Sequence, residues 1–239
     1  MLTIALPKGR LQKPTLERLA KAGYVPEEEP GASRKLIVPS KNGTARFLVL
    51  KDGDVPLYVE RGAADLGVCG LDQLLESGAD VLTPVDLGFG RCRLCIAAPR
   101  GSRLAPEPTS ADATSKGEGG PEGSSADWAG LEGTVDLGRS LRIATKYPRL
   151  AARAFARKGV PIDLVRLSGS VELAAVAGLS DAIVDLVESG RTLAENGLVV
   201  VQDLLAVSAR LVVNRASYRL KIEELLPLLE KVAPPGGGL

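Results

Sequence analysis

Short apolar runs at 3–6, 35–38, 46–50 and 65–68 read as strands, and helix-like patterns at 13–22, 55–61 and 71–77 lie between or after them. Alternation of this kind predicts a largely parallel α/β sheet, because strands running the same way need a crossover segment between them. Pro14 sits at the start of the first predicted helix, where its missing N–H costs nothing, and Asp54 and Gly62 bracket the second as cap and stop.

A second series follows. Strand-like runs at 93–98, 140–145, 163–167 and 182–185 alternate with a helix over 148–158, closed by Gly159, and another from Val171. This predicts a second small α/β unit. Strand pattern returns at 197–201 and 209–213 and is taken to rejoin the first unit. Lobe I is therefore expected to comprise 1–91 with 188–239, and lobe II 92–187. Residues 102–128 are rich in Gly, Ser, Pro and charge, which predicts a disordered surface insert, with Trp128 marking re-entry into packed structure. A final amphipathic helix is predicted over 218–232, bent or broken at Pro227.

Composition narrows the function. Thirty basic and twenty-nine acidic residues leave a formal net charge of +1, so nothing global draws the chain to nucleic acid or to an anionic membrane. No segment approaches the ~20 apolar residues of a membrane span, and the N-terminus lacks a basic start followed by a long apolar run, so a cytoplasmic location is expected. Cys92 and Cys95 have metal or redox spacing, but on a strand positions three apart point to opposite faces, so both are read as buried apolar residues. The chain has no histidine, which removes imidazole as a general base and any Ser-His or Cys-His nucleophile pair. What is left is carboxylate, lysine, arginine and metal chemistry.

The most informative stretch is 172–193. The buried strand Ala182-Ile183-Val184 ends in Asp185, and Ser189-Gly190-Arg191-Thr192 follows where the next helix begins. Gly190 lets the backbone approach an anion closely, Ser189 and Thr192 add hydroxyl donors, and Arg191 adds charge. Asp185 lies where it can reach ribose hydroxyls or a metal-bound diphosphate. On its own such a loop is a phosphosugar site or an ordinary helix N-cap.

The flanking residues decide between these. Glu172, Gly178, Ser180, Ile183, Asp185, Ser189, Gly190, Thr192 and Leu193 together resemble the signature of the ATP phosphoribosyltransferase family, which opens histidine biosynthesis. The resemblance extends to Leu6-Pro7-Lys8-Gly9-Arg10-Leu11, to Asp54-Val55-Pro56 with Asp65-Leu66-Gly67-Val68-Cys69-Gly70, and to 86–94. It covers the chain nearly end to end apart from the insert.

The resemblance implies a two-lobed fold like that of type II periplasmic binding proteins, with two crossovers and the ligand between the lobes. It implies transfer of the phosphoribosyl group of phosphoribosyl pyrophosphate to ATP, with Mg²⁺ carried by the pyrophosphate and no metal ligands from the protein. Ser189, Gly190, Arg191, Thr192 and Leu193 would hold the 5′-phosphate, with Asp185 near the ribose. Lys8 and Arg10 would face the triphosphate or pyrophosphate, or else lie in a solvated loop. Arg34 and Lys51 stand where the family uses basic residues for phosphate groups. Many relatives have arginine at the position of Lys51, and lysine keeps the charge without the bidentate fork. Glu172 is a candidate catalytic carboxylate, or a favourable partner for the start of its helix. The segment 67–72 is either a nucleotide wall or packing.

A chain of this length resembles the short form of the family, without the C-terminal regulatory domain. Short forms depend on a histidyl-tRNA-synthetase-like regulatory subunit in a hetero-octamer, and a homodimer is expected when the chain is alone. The competing reading is a two-lobed solute- or effector-binding module, since fold does not decide function.

Overall fold

The structure, a computed structural model, describes residues 1–31, 35–105 and 140–234. Strand β1 (Leu2–Pro7) is buried at every position, as expected of a strand covered on both faces in a parallel sheet. It lies between β3 (Ala45–Leu50) and β4 (Leu66–Gly70), parallel to both. Their C-terminal ends consequently share one edge of the sheet. The full order is β2-β3-β1-β4-β11-β5, in which β2 (Ile37–Pro39) is antiparallel to β3, β11 (Ala209–Val213) is antiparallel to β4, and β5 (Leu82–Asp86) is antiparallel to β11.

Helices α1 (Gln12–Lys21), α2 (Val55–Glu60), α3 (Leu71–Ser77), α7 (Arg215–Leu220) and α8 (Ile222–Val232) belong to this unit, which comprises 1–91 and 207–239. Leu19 of α1 packs with Leu225, Leu228, Leu229 and Val232 of α8 against β1 and β3. Pro227, expected to bend or break the last helix, lies inside α8, which runs on through it, and Lys221 separates α7 from α8. Gly62, at φ +71°, stops α2 as expected, while Asp54 stands at its start without a side-chain capping bond.

The second unit spans 92–206. Its sheet has the order β10-β6-β9-β7-β8, from β6 (Cys92–Pro99), β7 (Leu141–Thr145), β8 (Ile162–Arg166), β9 (Ala182–Val187) and β10 (Leu198–Val207). Strands β8, β7 and β9 are mutually parallel, and β6 is antiparallel to β9. Helices α4 (Pro148–Ala156), α5 (Val171–Val176) and α6 (Arg191–Glu195) connect them.

One boundary differs from the sequence reading. Residues 188–206 belong to the second unit, because β10 joins β6, and Leu193 and Leu198 pack with Cys95, Val171 and Ile183. An apolar run announces a strand without saying which sheet it will join.

The expected insert at 102–128 lies mostly outside the described residues, as does Trp128; of it, Ser102–Ala105 form a turn in which Leu104 is buried. Cys92 and Cys95 are buried, and neither is in a disulfide. Among the described residues no helix is long and apolar enough to cross a membrane.

Candidate active site

In the second unit the chain leaves β9 at Val187 and turns through Glu188, Ser189 and Gly190 into α6. Gly190 adopts φ +74°, a left-handed conformation that a side chain would strain. Ser189 Oγ accepts the Arg191 N–H at 3.4 Å, and Leu193 is buried, pinning the short helix to the core of its unit. Among the described residues the N–H groups of Gly190 and Thr192 meet no backbone acceptor, as is usual where a helix begins. Ser189 and Thr192 are exposed.

Together with Glu172, residues 186–193 line an open recess of about 220 Å³. Pockets for drug-sized ligands run ~300–1,000 Å³, so this one suits a phosphate with its adjoining sugar rather than a whole nucleotide. Ser170, at φ +49°, turns the chain into α5, and Glu172 in the first turn reaches the recess.

Asp185 stands at the root of this loop with its side chain only 12% exposed. Its Oδ1 accepts the Leu186 N–H at 2.9 Å and lies 3.5 Å from Lys146 Nζ. Burial raises the Asp185 carboxyl above its ordinary range, and the charge of Glu172 adds to the rise; Lys146 and the Leu186 N–H oppose it.

The structure thus brings Glu172, Ser189, Gly190, Arg191, Thr192 and Leu193 to the wall of the recess, with Asp185 at its root. Two of these also have partners elsewhere. The Arg191 guanidinium lies 3.0 Å from Glu195, one turn along the exposed face of α6, and the Leu193 side chain points into the core. Sequence reasoning missed Lys146. The signal was available in principle, because a residue that follows one parallel strand lies beside the residue at the same level of the next.

In the first unit Lys8 follows β1 and Lys51 follows β3. Pro7 and Leu50 are register partners, and the Lys8 N–H donates to the Leu50 carbonyl at 2.7 Å, so the two lysines leave the sheet edge side by side. Both are exposed. Arg34 lies outside the described residues. Asp52, in a 3-10 turn over Asp52–Asp54, is pushed up to about 6 by burial and by the neighbouring Asp72 carboxylate, with the Gly70 N–H and Arg10 opposing. The Asp72 carboxylate folds back over Gly70, where a Cβ would fall 2.1 Å from its Oδ1. The 67–72 segment is therefore tightly packed against its own sheet edge.

The family model for ATP phosphoribosyltransferase matches residues 51–233. The ATP phosphoribosyltransferase of Burkholderia cenocepacia (strain HI2424) is 44% identical over 240 residues, covering 99% of this chain and 98% of its own. That of Cupriavidus metallidurans is 44% identical over 230 residues, covering 96% and 91%. Among solved structures, the ATP phosphoribosyl transferase (HisG:HisZ) complex from Thermotoga maritima contains a chain similar at TM-score 0.74 and 35% identity, over 97% of this chain and 96% of that one. The chain belongs to the ATP phosphoribosyltransferase family.

Proposed function

We propose that the recess of the second unit receives phosphoribosyl pyrophosphate, with the 5′-phosphate seated on Ser189, Gly190 and Thr192 and the ribose hydroxyls on Asp185. The activity is that of the family: ATP and phosphoribosyl pyrophosphate condense to phosphoribosyl-ATP and pyrophosphate, the first step of histidine biosynthesis. The observation that carries the assignment is the junction of β9 and α6, where a left-handed glycine stands between exposed hydroxyls just beyond a largely buried carboxylate.

A ring nitrogen of adenine attacks the anomeric carbon, and the bonding pair of the carbon–oxygen bond leaves with pyrophosphate. Both substrates are polyanions, so orientation and charge neutralisation supply most of the rate. Asp185 accepts hydrogen bonds from the ribose and lies close to positive charge that develops on the sugar ring. Glu172 and Glu188 add carboxylates to the wall of the recess. Lys8, Arg10, Lys51 and Arg34 are assigned to phosphate groups of the substrates. Within the recess Arg191 contributes its backbone N–H and Leu193 anchors the loop from below.

The reaction of the family uses a divalent metal, and we assign it as Mg²⁺ carried by the pyrophosphate, where it neutralises the leaving group. The donors fit this arrangement: the wall of the recess carries the carboxylates of Glu172 and Glu188, and Asp185, at the root of the loop, is already paired with Lys146. The solved relative is a HisG:HisZ complex, and a regulatory subunit of the HisZ kind is assigned to this chain as its partner. A cytoplasmic setting is in keeping with these substrates.

Calorimetric titration tests the site directly. Phosphoribosyl pyrophosphate and ribose 5-phosphate should both bind, the latter more weakly, and Thr192→Ala should weaken both about tenfold through loss of one charge-assisted hydrogen bond. Unchanged binding in Ser189→Ala, Thr192→Ala and Asp185→Asn alike would place the phosphosugar elsewhere.

A further inference from the structure

Lys146 belongs to none of the residues that the family signature supplies, yet its surroundings hold it in one place. Strands β7 and β9 run parallel with Ile143 opposite Ala182, Ala144 opposite Ile183 and Thr145 opposite Val184. The next residues, Lys146 and Asp185, therefore emerge side by side at the C-terminal edge of the sheet, where parallel sheets bind ligands.

The chain is locked on both sides of Lys146. Thr145 Oγ1 donates to the Val184 carbonyl at 2.7 Å and accepts the Tyr147 N–H at 2.8 Å. Thr145 and Tyr147 are both buried, and Pro148 begins α4 directly afterwards. The ammonium lies 3.5 Å from Asp185 Oδ1 and 5.7 Å from the centre of the Tyr147 ring, within cation–π range. It remains 38% exposed at the side chain, so its position does not come from burial of the charge itself.

Three elements present charged or titratable groups to Asp185. Glu172 on α5 disfavours the carboxylate, Lys146 after β7 favours it, and Cys95, the register partner of Asp185 on β6, carries a thiol pushed up to about 12 by burial and by Asp203. Cys95 is accordingly neutral. Lys146 is what opposes burial and Glu172 from a side chain.

We propose that Lys146 is a positioning residue of the phosphoribosyl site: it holds Asp185 and aims its carboxylate at the ribose hydroxyls. The inference rests on the assignment of Asp185 to the ribose. A carboxylic acid would donate one hydrogen bond where the sugar needs acceptors, and an unaimed carboxylate would give up orientation on which the transfer depends.

Steady-state kinetics of the full chain with its regulatory subunit, across pH 5.5 to 9, provides the test for wild type, Lys146→Met, Lys146→Arg and Asp185→Asn. Lys146→Met should raise KM for phosphoribosyl pyrophosphate about tenfold while leaving KM for ATP in place. It should also move the acid limb of kcat/KM upward by about one pH unit, since removing an opposite charge raises a carboxyl pKa. Titration of the substrate is common to all variants and cancels. Lys146→Arg should restore most of both effects, which a purely structural role would not require. Should Lys146→Met fail to fold, Lys146→Gln carries the same expectations. An unchanged limb and KM in Lys146→Met, with Asp185→Asn impaired, would overturn the role of Lys146 alone. Unchanged KM in both Asp185→Asn and Lys146→Met would overturn it together with the ribose assignment.

Discussion

Asp65 and Lys221, 156 residues apart in sequence, meet at 2.8 Å and fasten the turn between α7 and α8 to the edge of β4. Asp65 is buried and also accepts the Thr3 N–H at 2.8 Å and the Ser217 hydroxyl at 2.6 Å. Burial alone would raise its carboxyl, but the bonds from Lys221, Ser217 and Thr3 outweigh that and hold it below the ordinary range.

Lys221→Met should therefore destabilise the fold by about 1–3 kcal/mol, because it leaves a buried carboxylate short of a partner. The pH dependence has a definite sign. A carboxyl whose folded pKa is depressed contributes stability that is present above its unfolded value near 3.9 and is lost as pH falls through the folded value. Urea midpoints between pH 3 and 7 should fall in acid for wild type and fall less steeply for Asp65→Asn. Parallel curves would refute the contribution of Asp65.

Asp52 behaves in the opposite way. Its carboxyl is raised to about 6, so the folded state holds the proton more tightly than the unfolded one, and stability declines as pH rises from ~4 to ~6. Asp52→Asn keeps an acceptor for the Gly70 N–H and removes the buried charge. It should be more stable than wild type by on the order of 2 kcal/mol at pH 7, with the difference vanishing near pH 4. Thermal unfolding at the two pH values checks this; equal differences at both would show that Asp52 is not the titrating group.

Gly190→Ala should separate backbone geometry from hydroxyl chemistry in the phosphate loop. A Cβ there meets only Val187 Cγ1 at 3.8 Å, so space is sufficient and the φ of +74° is the obstacle. Strain of ~1–2 kcal/mol is expected, with a correspondingly weaker grip on phosphoribosyl pyrophosphate. Thr192→Ala should weaken binding with little effect on thermal stability, since Thr192 is exposed.

Lys51 offers a test of charge against geometry. Lys51→Met should lower kcat/KM by about 100-fold if its charge faces a phosphate, whereas Lys51→Arg should stay within a few-fold of wild type because the fork adds contacts and keeps the charge. A Lys51→Met enzyme as fast as wild type would remove Lys51 from the catalytic set.

Much of this was legible in the sequence for identifiable reasons. Buried parallel strands such as Leu2–Pro7 and Ala182–Val187 advertise themselves as continuous apolar runs, and the hydroxyl-glycine turn after Asp185 is local in sequence, so the recess could be read from consecutive residues. What escaped depends on partners distant in the chain. Leu198–Val207 reads as a strand from its own residues, but its place beside β6 is set by packing with Cys95 and Ile183. Lys146 becomes meaningful only when the β7–β9 register puts it next to Asp185. The Arg191 side chain pairs with Glu195 one helical turn further on, a partner set by the helix rather than by the loop. Helix α8 continues through Pro227 because a proline removes only one hydrogen bond, while Leu225, Leu228 and Leu229 on either side remain anchored in the core.

The decisive measurement is formation of phosphoribosyl-ATP by the purified chain with its regulatory subunit, followed by ultraviolet absorbance in ATP, phosphoribosyl pyrophosphate and Mg²⁺, with pyrophosphatase drawing the reaction forward. Wild type should form product, and Asp185→Asn and Thr192→Ala should each slow it by about 10- to 100-fold while remaining folded. No product from wild type, or undiminished rates in both variants, would contradict the assignment of the β9–α6 recess as the phosphoribosyl site.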